Sequence, residues 1–286
     1  MKHLNLFIEL IRLKKPIGFM LLFWPCTWGL TLAFDFNTEL NKFFFYLILF
    51  FFGSILMRSA GCIINDIADK DFDKRVQRTK NRPIASNKVS VKLGFIYAAV
   101  LCIFAFFVLI QFNTFTIILA LGSMPLAFSY PLMKRYTYWP QLFLGITFNY
   151  GIILGWSSVN GSLDLIVFLL YVAAIFWTLG YDTIYGYQDI EDDEIIGVKS
   201  TSIKFKSNPK LFLSFCYLIF VSIIIYLNVK MQFNIYSNLI LIIILFLLFN
   251  QIYKFNLKDK YRALILFKRN NLLGFMVFLN ILIGKI

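Results

Sequence analysis

Long apolar runs separated by short polar or charged breaks recur along the whole chain. A helix needs about 17–25 apolar residues to cross a bilayer, and these runs lack the single apolar stripe that is typical of a helix in a soluble core. The pattern predicts an all-α integral membrane protein, with residues 1–286 as one polytopic domain. Its breaks delimit nine transmembrane helices, at about 16–34, 43–64, 91–111, 115–133, 140–159, 163–181, 210–229, 234–253 and 270–286.

The composition agrees with this interpretation. Hydrophobic residues make up 59% of the chain and charged residues 15%, against about 25% charged residues in ordinary soluble domains. The basic N-terminal segment runs into a stretch that contains Pro16, Trp24 and Pro25, without a clear small-residue cleavage site, so we interpret it as the first span rather than a signal peptide. The four cysteines show no C-x-x-C spacing, and we expect neither a disulfide nor a metal framework from them.

Lys and Arg are distributed unevenly between the alternating breaks. Of the 28 basic residues, 23 fall on the side that begins with the N-terminus and 3 on the other. Since cytoplasmic loops carry the excess of Lys and Arg, we expect a cytoplasmic N-terminus and a periplasmic C-terminus. Basic loops beside an anionic leaflet account for most of the net charge of +13. No soluble basic module is present to bind nucleic acid, and no obligate protein partner is indicated.

Ten of the fifteen acidic residues lie in two segments on the predicted cytoplasmic side, 65–89 and 182–209. Asn65, Asp69 and Asp73 are spaced i, i+4, i+8 after the second span. Asp182 and Asp189 follow the sixth span together with Asp193. Side chains at such spacings share one helix face, where carboxylates repel one another unless a cation lies between them. Solvated acidic loops are the alternative.

The residue types in these segments favour a bound divalent cation over acidic loops that are only solvated. The nearby donors are oxygen atoms, without His or Cys, which favours Mg²⁺ over zinc or copper. Basic residues that could bind phosphate oxygens follow each acidic segment or lie in the loop between them: Arg78, Arg82, Lys134, Arg135 and Lys199. The sole histidine, His3, leaves no His base for a Ser or Cys nucleophile and no H-E-x-x-H zinc site.

Several stretches match a known family. These are "ND-x2-D-x3-D" from Asn65, "RT-x2-RP" from Arg78, "D-x2-Y-x3-D-x3-D" from Asp182, and "IGVKST" at 196–201. Together with "RLKKPIGFMLLFWPCTWGL", "RSAGCIIND" and "SYPLMKRYTYWPQ", they resemble the UbiA-type intramembrane aromatic prenyltransferases, in the 4-hydroxybenzoate polyprenyltransferase branch. The resemblance covers residue 12 to about residue 203. The last third of the chain is similar in hydropathy only.

The resemblance implies a helical bundle around a central cavity that opens sideways to lipid. The implied reaction is the Mg²⁺-dependent transfer of a polyprenyl chain from polyprenyl diphosphate to the ring carbon ortho to the hydroxyl of 4-hydroxybenzoate. Diphosphate would be released, in a step of ubiquinone synthesis. The protein would be a multi-pass protein of a bacterial inner membrane, and its partners would be these two substrates and the lipid bilayer.

The resemblance also implies roles for individual residues. Metal ligands would be Asn65, Asp66, Asp69, Asp73, Asp189 and Asp193. Substrate would be bound by Arg58, Arg78, Arg82, Lys134 and Lys199. Catalytic groups would be Asp182, Tyr185 and Arg135. Tyr150, Trp156 and Tyr185 are candidates to stabilise an allylic cation with their ring faces.

Three alternatives remain open at this point. Prenyl transfer to another acceptor, such as dihydroxynaphthoate, homogentisate, haem or a chlorophyll precursor, would use the same acidic motifs. A divalent-cation or organic-anion transporter would place charges near the middle of the membrane, whereas the charges here cluster at one face apart from Arg58. A phospholipid alcohol transferase would need a D-G…A-R…G…D…D pattern, which the chain lacks.

Overall fold

The computed structural model describes residues 2–37, 40–257 and 259–286, and within these ranges every regular element is a helix. The helices are α1 (Lys2–Leu10), α2 (Ile17–Ala33), α3 (Leu40–Ala68), α4 (Lys70–Asp73), α5 (Val91–Leu109), α6 (Thr114–Gly122), α7 (Met124–Ser129), a 3₁₀ turn (Tyr130–Leu132), α8 (Met133–Tyr136), α9 (Pro140–Asn160), α10 (Leu165–Gly186), α11 (Ile190–Ile196), α12 (Thr201–Lys204), α13 (Pro209–Lys230), α14 (Ile235–Lys254) and α15 (Lys260–Lys285).

The expected membrane architecture is confirmed at the level of its helices. In the described part of the chain, eight segments are long and apolar enough to cross a membrane: α3, α5, the run Thr114–Tyr136, α9, α10, α13, α14 and α15. The first expected span corresponds to α2, which is apolar but has only 17 residues. At 1.5 Å per residue such a helix is roughly 25 Å long, somewhat less than the hydrocarbon thickness of about 30 Å.

The predicted span at 115–133 is confirmed as the run Thr114–Tyr136. This run is divided into α6, α7, a 3₁₀ turn and α8, and prolines at 125 and 131 lie in it, where they remove backbone N–H donors. One predicted boundary is wrong. The expected loop at 254–269 is largely helix, because α15 already begins at Lys260 and Asp259 caps it by accepting a hydrogen bond from the Arg262 N–H at 2.8 Å.

Helices α2 and α9 approach each other closely at glycines. A methyl group at Gly29 would overlap the backbone carbonyl of Ile152, and one at Gly155 would overlap the carbonyl of Cys26. Next to this contact, Trp28 of α2 packs on Trp177 of α10, with ring centroids 5.0 Å apart. The glycine contacts hold α2 against α9, and the tryptophan pair holds α2 against α10. The three helices therefore form one side of the protein interior.

The ends of α3 and α10 carry the two acidic segments to the same place. Asn65 and Asp66 lie in the last turns of α3, and Asp182 and Tyr185 in the last turns of α10, rather than in loops. The segments touch each other directly, since the Gln77 N–H donates to Asp192 Oδ2 at 3.2 Å. One end of the bundle therefore gathers most of the acid in the chain.

Candidate functional site

A cavity of about 630 Å³ runs through the bundle beneath the two acidic segments. Its charged end includes Asp69, Asp73, Asp189 and Asp193, while its lining extends to Phe112, beyond the far end of α5. Between the two ends the wall is mostly apolar, formed by residues such as Leu22, Leu49, Phe50, Phe106, Leu109 and Leu154. We call the end with the four aspartates the charged chamber and the apolar part that continues from it the apolar bore. Both parts are open to the same ligand.

The first acidic segment keeps helical spacing across the break between α3 and α4. The Asp69 N–H donates to the Asn65 carbonyl at 2.9 Å, and the Asp73 N–H to the Asp69 carbonyl at 2.8 Å. The expected common face is therefore present, and Asn65, Asp69 and Asp73 all line the cavity. Lys134 forms an ion pair with Asp69 at 2.5 Å, and Arg82 forms one with Asp73 at 2.7 Å.

The second acidic segment is bound to the first by Arg78. Its guanidinium donates to both carboxylate oxygens of Asp189, with Nε–Oδ1 at 2.8 Å and Nη2–Oδ2 at 2.5 Å, and to the Tyr185 hydroxyl at 3.3 Å. Asp193 lies one turn further along, because its N–H donates to the Asp189 carbonyl at 2.8 Å. Burial, and next the neighbouring charge of Asp189, raise the pKa of Asp193 to about 6. The charges of Lys134 and Arg78 lower this pKa, but by less than burial and Asp189 raise it.

The donor set fits a magnesium ion in its chemistry, although the carboxylates are not gathered around one point. Within the described residues, no three Asp, Glu, His or Cys side chains are grouped closely enough to form a metal site. Instead a Lys or Arg holds each of Asp69, Asp73 and Asp189. The second oxygen of Asp69, Oδ1, is buried without a hydrogen-bond partner, which is costly unless a ligand completes it. Oxygen donors of this kind suit Mg²⁺.

Two of the predicted site residues do not line the cavity. Asp66 is 1% exposed, and its Oδ1 accepts from Arg12 at 2.5 Å and from Arg82 at 3.2 Å. Arg135 donates to the Ala68 carbonyl at 2.5 Å and lies over the Phe72 ring, 5.2 Å from its centroid. Both side chains are engaged in holding the end of α3 and the residues after it.

Arg58 lies on the cavity wall, in α3, two turns before Asn65. Its Nη1 donates to Cys62 Sγ at 2.9 Å, and its guanidinium lies 5.5 Å from the centroid of the Phe148 ring. Its Nε is buried and has no hydrogen-bond partner. A buried guanidinium with a free donor, on a cavity wall, is suited to bind an anion.

The remaining predicted residues also lie on the cavity wall. Asp182, Tyr185 and Lys199 line it. Lys199 is fixed to the loop that carries Lys134, because its N–H donates to the Lys134 carbonyl at 2.9 Å and its Nζ to the Tyr136 carbonyl at 3.2 Å. Among the aromatic candidates, Tyr150 and Tyr185 line the cavity, whereas Trp156 does not.

Arg12 and Phe267 lie on the cavity wall although neither was predicted from the sequence as a site residue. Arg12 lines the cavity and reaches Asp66 from a left-handed backbone conformation, with φ of 55°; the "RLKKP" stretch that begins with it was the available signal. Phe267 of α15 also lines the cavity, and its ring centroid lies 4.4 Å from that of Tyr185. No motif marks Phe267, because it belongs to the part of the chain that showed similarity only in hydropathy.

Comparison with known proteins shows the family of the chain. Residues 22–279 match the UbiA prenyltransferase family. The chain belongs to this family. Among curated UbiA relatives, the proteins named "4-hydroxybenzoate polyprenyltransferase, mitochondrial" of Rattus norvegicus and Homo sapiens are each 49% identical, over 214 and 216 residues. Each match covers 74% of this chain and 57% of the relative. The chain therefore spans little more than half the length of these relatives.

Solved UbiA structures share the fold. The apo structure of a UbiA homolog from Aeropyrum pernix K1 matches with a TM-score of 0.77 at 21% identity, over 93% of this chain and 98% of the other. A UbiA homolog from Archaeoglobus fulgidus bound to GPP and Mg²⁺ matches with a TM-score of 0.69 at 18% identity, over 96% and 99% of the two chains. At these identities the likeness establishes the UbiA fold alone.

Proposed function

We propose that this UbiA protein transfers a polyprenyl chain from polyprenyl diphosphate to 4-hydroxybenzoate and releases diphosphate. The observation that carries the proposal is the cavity, in which a chamber of paired acids and bases opens into an apolar bore. A donor with a charged diphosphate head and a hydrocarbon tail fits both parts. The names of the relatives, at 49% identity, support the same reaction.

The metal is proposed from the donor chemistry of the charged chamber. Asn65, Asp69, Asp73, Asp189 and Asp193 would hold Mg²⁺, and the GPP and Mg²⁺ complex of the Archaeoglobus fulgidus homolog supports this choice. When bound, Mg²⁺ would supply Lewis acidity and neutralise charge on the departing diphosphate. Asp66 is proposed as a support for Arg12 and Arg82 rather than as a direct ligand, since its oxygen already accepts from both.

The basic residues would change partners when substrate binds. Arg78, Arg82 and Lys134 now neutralise carboxylates. With those carboxylates holding Mg²⁺, the three side chains would bind phosphate oxygens together with Lys199. Arg135 would act indirectly, because its guanidinium donates to the Ala68 carbonyl and lies over the Phe72 ring. We propose that it keeps the adjacent Lys134 facing the cavity.

The acceptor would lie between Arg58 and the chamber. The carboxylate of 4-hydroxybenzoate would accept from the free Nε of Arg58. As the C–O bond of the donor breaks, the ring carbon ortho to the hydroxyl attacks the allylic carbon and then loses its proton. Asp182, whose side chain has no ion pair within the described residues, would accept that proton. Tyr150 and Tyr185 offer ring faces to the cation, and the apolar wall excludes water.

We also propose nine crossings of a bacterial inner membrane, with α2 as the first. The N-terminus would be cytoplasmic and the C-terminus periplasmic. The division of Lys and Arg, 23 against 3, supports this orientation. The contacts of Arg78 with Asp189 and of Gln77 with Asp192 support a common side for the two acidic segments. The relatives are named mitochondrial, and the same charge pattern suits a bacterial inner membrane.

An in vitro assay tests the proposal. Purified protein is given polyprenyl diphosphate with 4-hydroxybenzoate or dihydroxynaphthoate, with Mg²⁺ or with EDTA, and the prenylated products are separated by chromatography. We expect Mg²⁺-dependent prenylation of 4-hydroxybenzoate at the carbon next to the hydroxyl. Preferential prenylation of the naphthoate would assign another acceptor on the same scaffold. Movement of 4-hydroxybenzoate into proteoliposomes without any prenylated product would indicate a transporter instead.

A further inference from the structure

A second cavity, of about 500 Å³, lies apart from the site described above and shares no lining residue with it. Its wall is formed where α13 begins, where α14 ends, and by the connection that leads into α15. Three basic side chains line it: Lys210, Lys254 and Arg262. The proposed prenyl transfer uses none of them.

This basic pocket lies at the boundary between the membrane and water. Helix α13 begins at Pro209 and α14 ends at Lys254, so that two candidate spans terminate in its wall. Tyr253, which lines the pocket, and Tyr261, which precedes the lining residue Arg262 in the chain, are 71% and 74% exposed, and exposed tyrosines are typical of the interfacial belt of membrane proteins. The ion pair of Lys260 with Glu191, at 2.6 Å, places the pocket at the same end of the bundle as the acidic segments.

The pocket has an excess of positive charge. Among the described residues, neither Lys210 nor Lys254 forms an ion pair, and the contact of Arg262 with Asp259 is long, at 3.4 Å. By contrast, the nearby Lys206 is paired with Glu194 at 2.8 Å. Cations collected in a concave site attract an anion more strongly than the same cations spread over a surface.

Exposed apolar side chains continue from the pocket along α13 and α14. Leu211 lines the pocket at the start of α13, and the exposed residues Phe215 and Leu218 follow it at helical spacing. Tyr253 lines the pocket at the end of α14, and Phe249 precedes it by one turn with its ring stacked 6.2 Å away. Because side chains three and four residues apart share a helix face, the two stripes continue from the pocket along neighbouring helices.

We propose that the basic pocket and these exposed apolar side chains bind one acidic phospholipid. Its phosphate would accept charge-assisted hydrogen bonds from Lys210, Lys254 and Arg262, and its acyl chains would lie on the stripes of α13 and α14. A zwitterionic headgroup such as that of phosphatidylcholine carries a quaternary ammonium beside its phosphate, and the repulsion between this cation and the basic pocket would make it bind more weakly. The site is independent of the prenyl-transfer proposal, since its residues lie outside the main cavity.

The test uses delipidated full-length protein in detergent, with phosphatidylglycerol or phosphatidylcholine added in a titration. Bound lipid is counted by native mass spectrometry, and the midpoint of thermal unfolding is recorded in parallel. We expect phosphatidylglycerol to bind at one saturable site and to raise the midpoint. The triple change K210Q/K254Q/R262Q should weaken its apparent affinity about tenfold or more, which corresponds to the loss of at least one charge-assisted hydrogen bond.

A matched triple change provides the control. K80Q/K88Q/K92Q removes the same charge from exposed positions outside both cavities, and should leave the affinity unchanged. Equal loss in the two triple variants would mean general attraction to the surface and would overturn the proposal, as would no loss in either. If the pocket variant does not fold, the single change Lys254→Gln must still lower the lipid count.

Two further ligands, added in the same assay, distinguish a lipid phosphate from other phosphate compounds. Glycerol 3-phosphate, which lacks acyl chains, should not raise the unfolding midpoint at the concentrations where phosphatidylglycerol does. An equal effect of this soluble phosphate would assign the pocket to free anions. Displacement of phosphatidylglycerol by stoichiometric polyprenyl diphosphate would make the pocket a second donor site, and would also overturn the lipid assignment.

Discussion

At the scale of single residues, the charged chamber contains carboxylates that are neutralised one by one. Asp69, Asp73 and Asp189 are each held by one Lys or Arg. Burying a carboxylate without a cation is costly, so this pairing lets the chamber exist without a metal. Asp193 is the exception, since burial and next the charge of Asp189 raise the pKa of its carboxyl.

Removing single carboxylates separates site residues from solvated ones. We expect Asp69→Ala and Asp189→Ala to lower kcat by at least about 100-fold, the usual size for losing one group that stabilises transition-state charge. Asp71→Ala is the matched control, because the side chain of Asp71 is 85% exposed and forms an ion pair with Lys74 at 3.1 Å. Its turnover should stay near that of the unchanged protein. Near-normal activity in both site variants would remove the proposed metal cradle.

Arg58 and Arg135 should differ in their dependence on the acceptor. Arg58→Lys keeps the charge but loses the guanidinium geometry, so we expect the KM for 4-hydroxybenzoate to rise about tenfold. With a phenol that lacks the carboxylate the change should be small. Arg135→Lys should affect both acceptors alike, since Arg135 contacts Ala68 and Phe72 rather than the cavity. Equal losses for both acceptors in the Arg58 variant would contradict its role.

At the scale of helices, the wall of the cavity depends on small residues. Gly29 and Gly155 let α2 and α9 approach until backbone meets backbone. Pro125 lies where α7 begins, and Pro131 lies in the 3₁₀ turn that follows it, so the run Thr114–Tyr136 is divided into short helices. The close contact between α2 and α9 and the interruption of the run Thr114–Tyr136 are thus both set by residue types that alter the backbone, glycine and proline.

A methyl group added at the α2–α9 contact should lower stability. In Gly155→Ala the new carbon would overlap the Cys26 carbonyl, and such overpacking costs about 1–3 kcal/mol. We expect a lower midpoint of thermal unfolding in detergent. Gly122→Ala is the comparison, because a carbon added there meets no atom within 4 Å, and it should leave the midpoint unchanged or slightly raised. Equal midpoints for the two variants would argue against tight packing at Gly155.

At the scale of the whole molecule, contacts between distant segments assemble one site. Arg78 and Asp189 are 111 residues apart in the chain, and Arg12 and Asp66 are 54 apart. The cavity then connects this charged end with apolar side chains near the opposite ends of the helices. Such an arrangement requires both acidic segments to lie on one side of the membrane.

Labelling of introduced cysteines tests that requirement. In a background without reactive native cysteines, Lys88→Cys and Ser207→Cys should react with an impermeant maleimide from the cytoplasmic side only. Ser162→Cys, an exposed position in the turn before α10, should react from the opposite side. Reaction of positions 88 and 207 from opposite sides would exclude a common chamber for the two acidic segments.

The sequence by itself determined the class of the fold and the chemistry of the site. Apolar runs of sufficient length can only be buried in lipid, so most helices could be predicted to within a few residues. The spacing of Asn65, Asp69 and Asp73 is local, and helical hydrogen bonds preserve it. Oxygen donors next to Arg and Lys indicate a metal and phosphate in any fold that brings them together.

Only the tertiary structure decided which side chains line the cavity. Asp66 and Asp69 are three residues apart, yet one is held by Arg12 outside the cavity wall and the other is on it. Likewise Lys134 lines the cavity while the adjacent Arg135 does not. The direction of a side chain near a helix end depends on where the helix breaks and on what packs there. Phe267 contacts Tyr185 from a helix that carries no motif. A contact between segments far apart in the chain produces no recognisable residue spacing in the sequence.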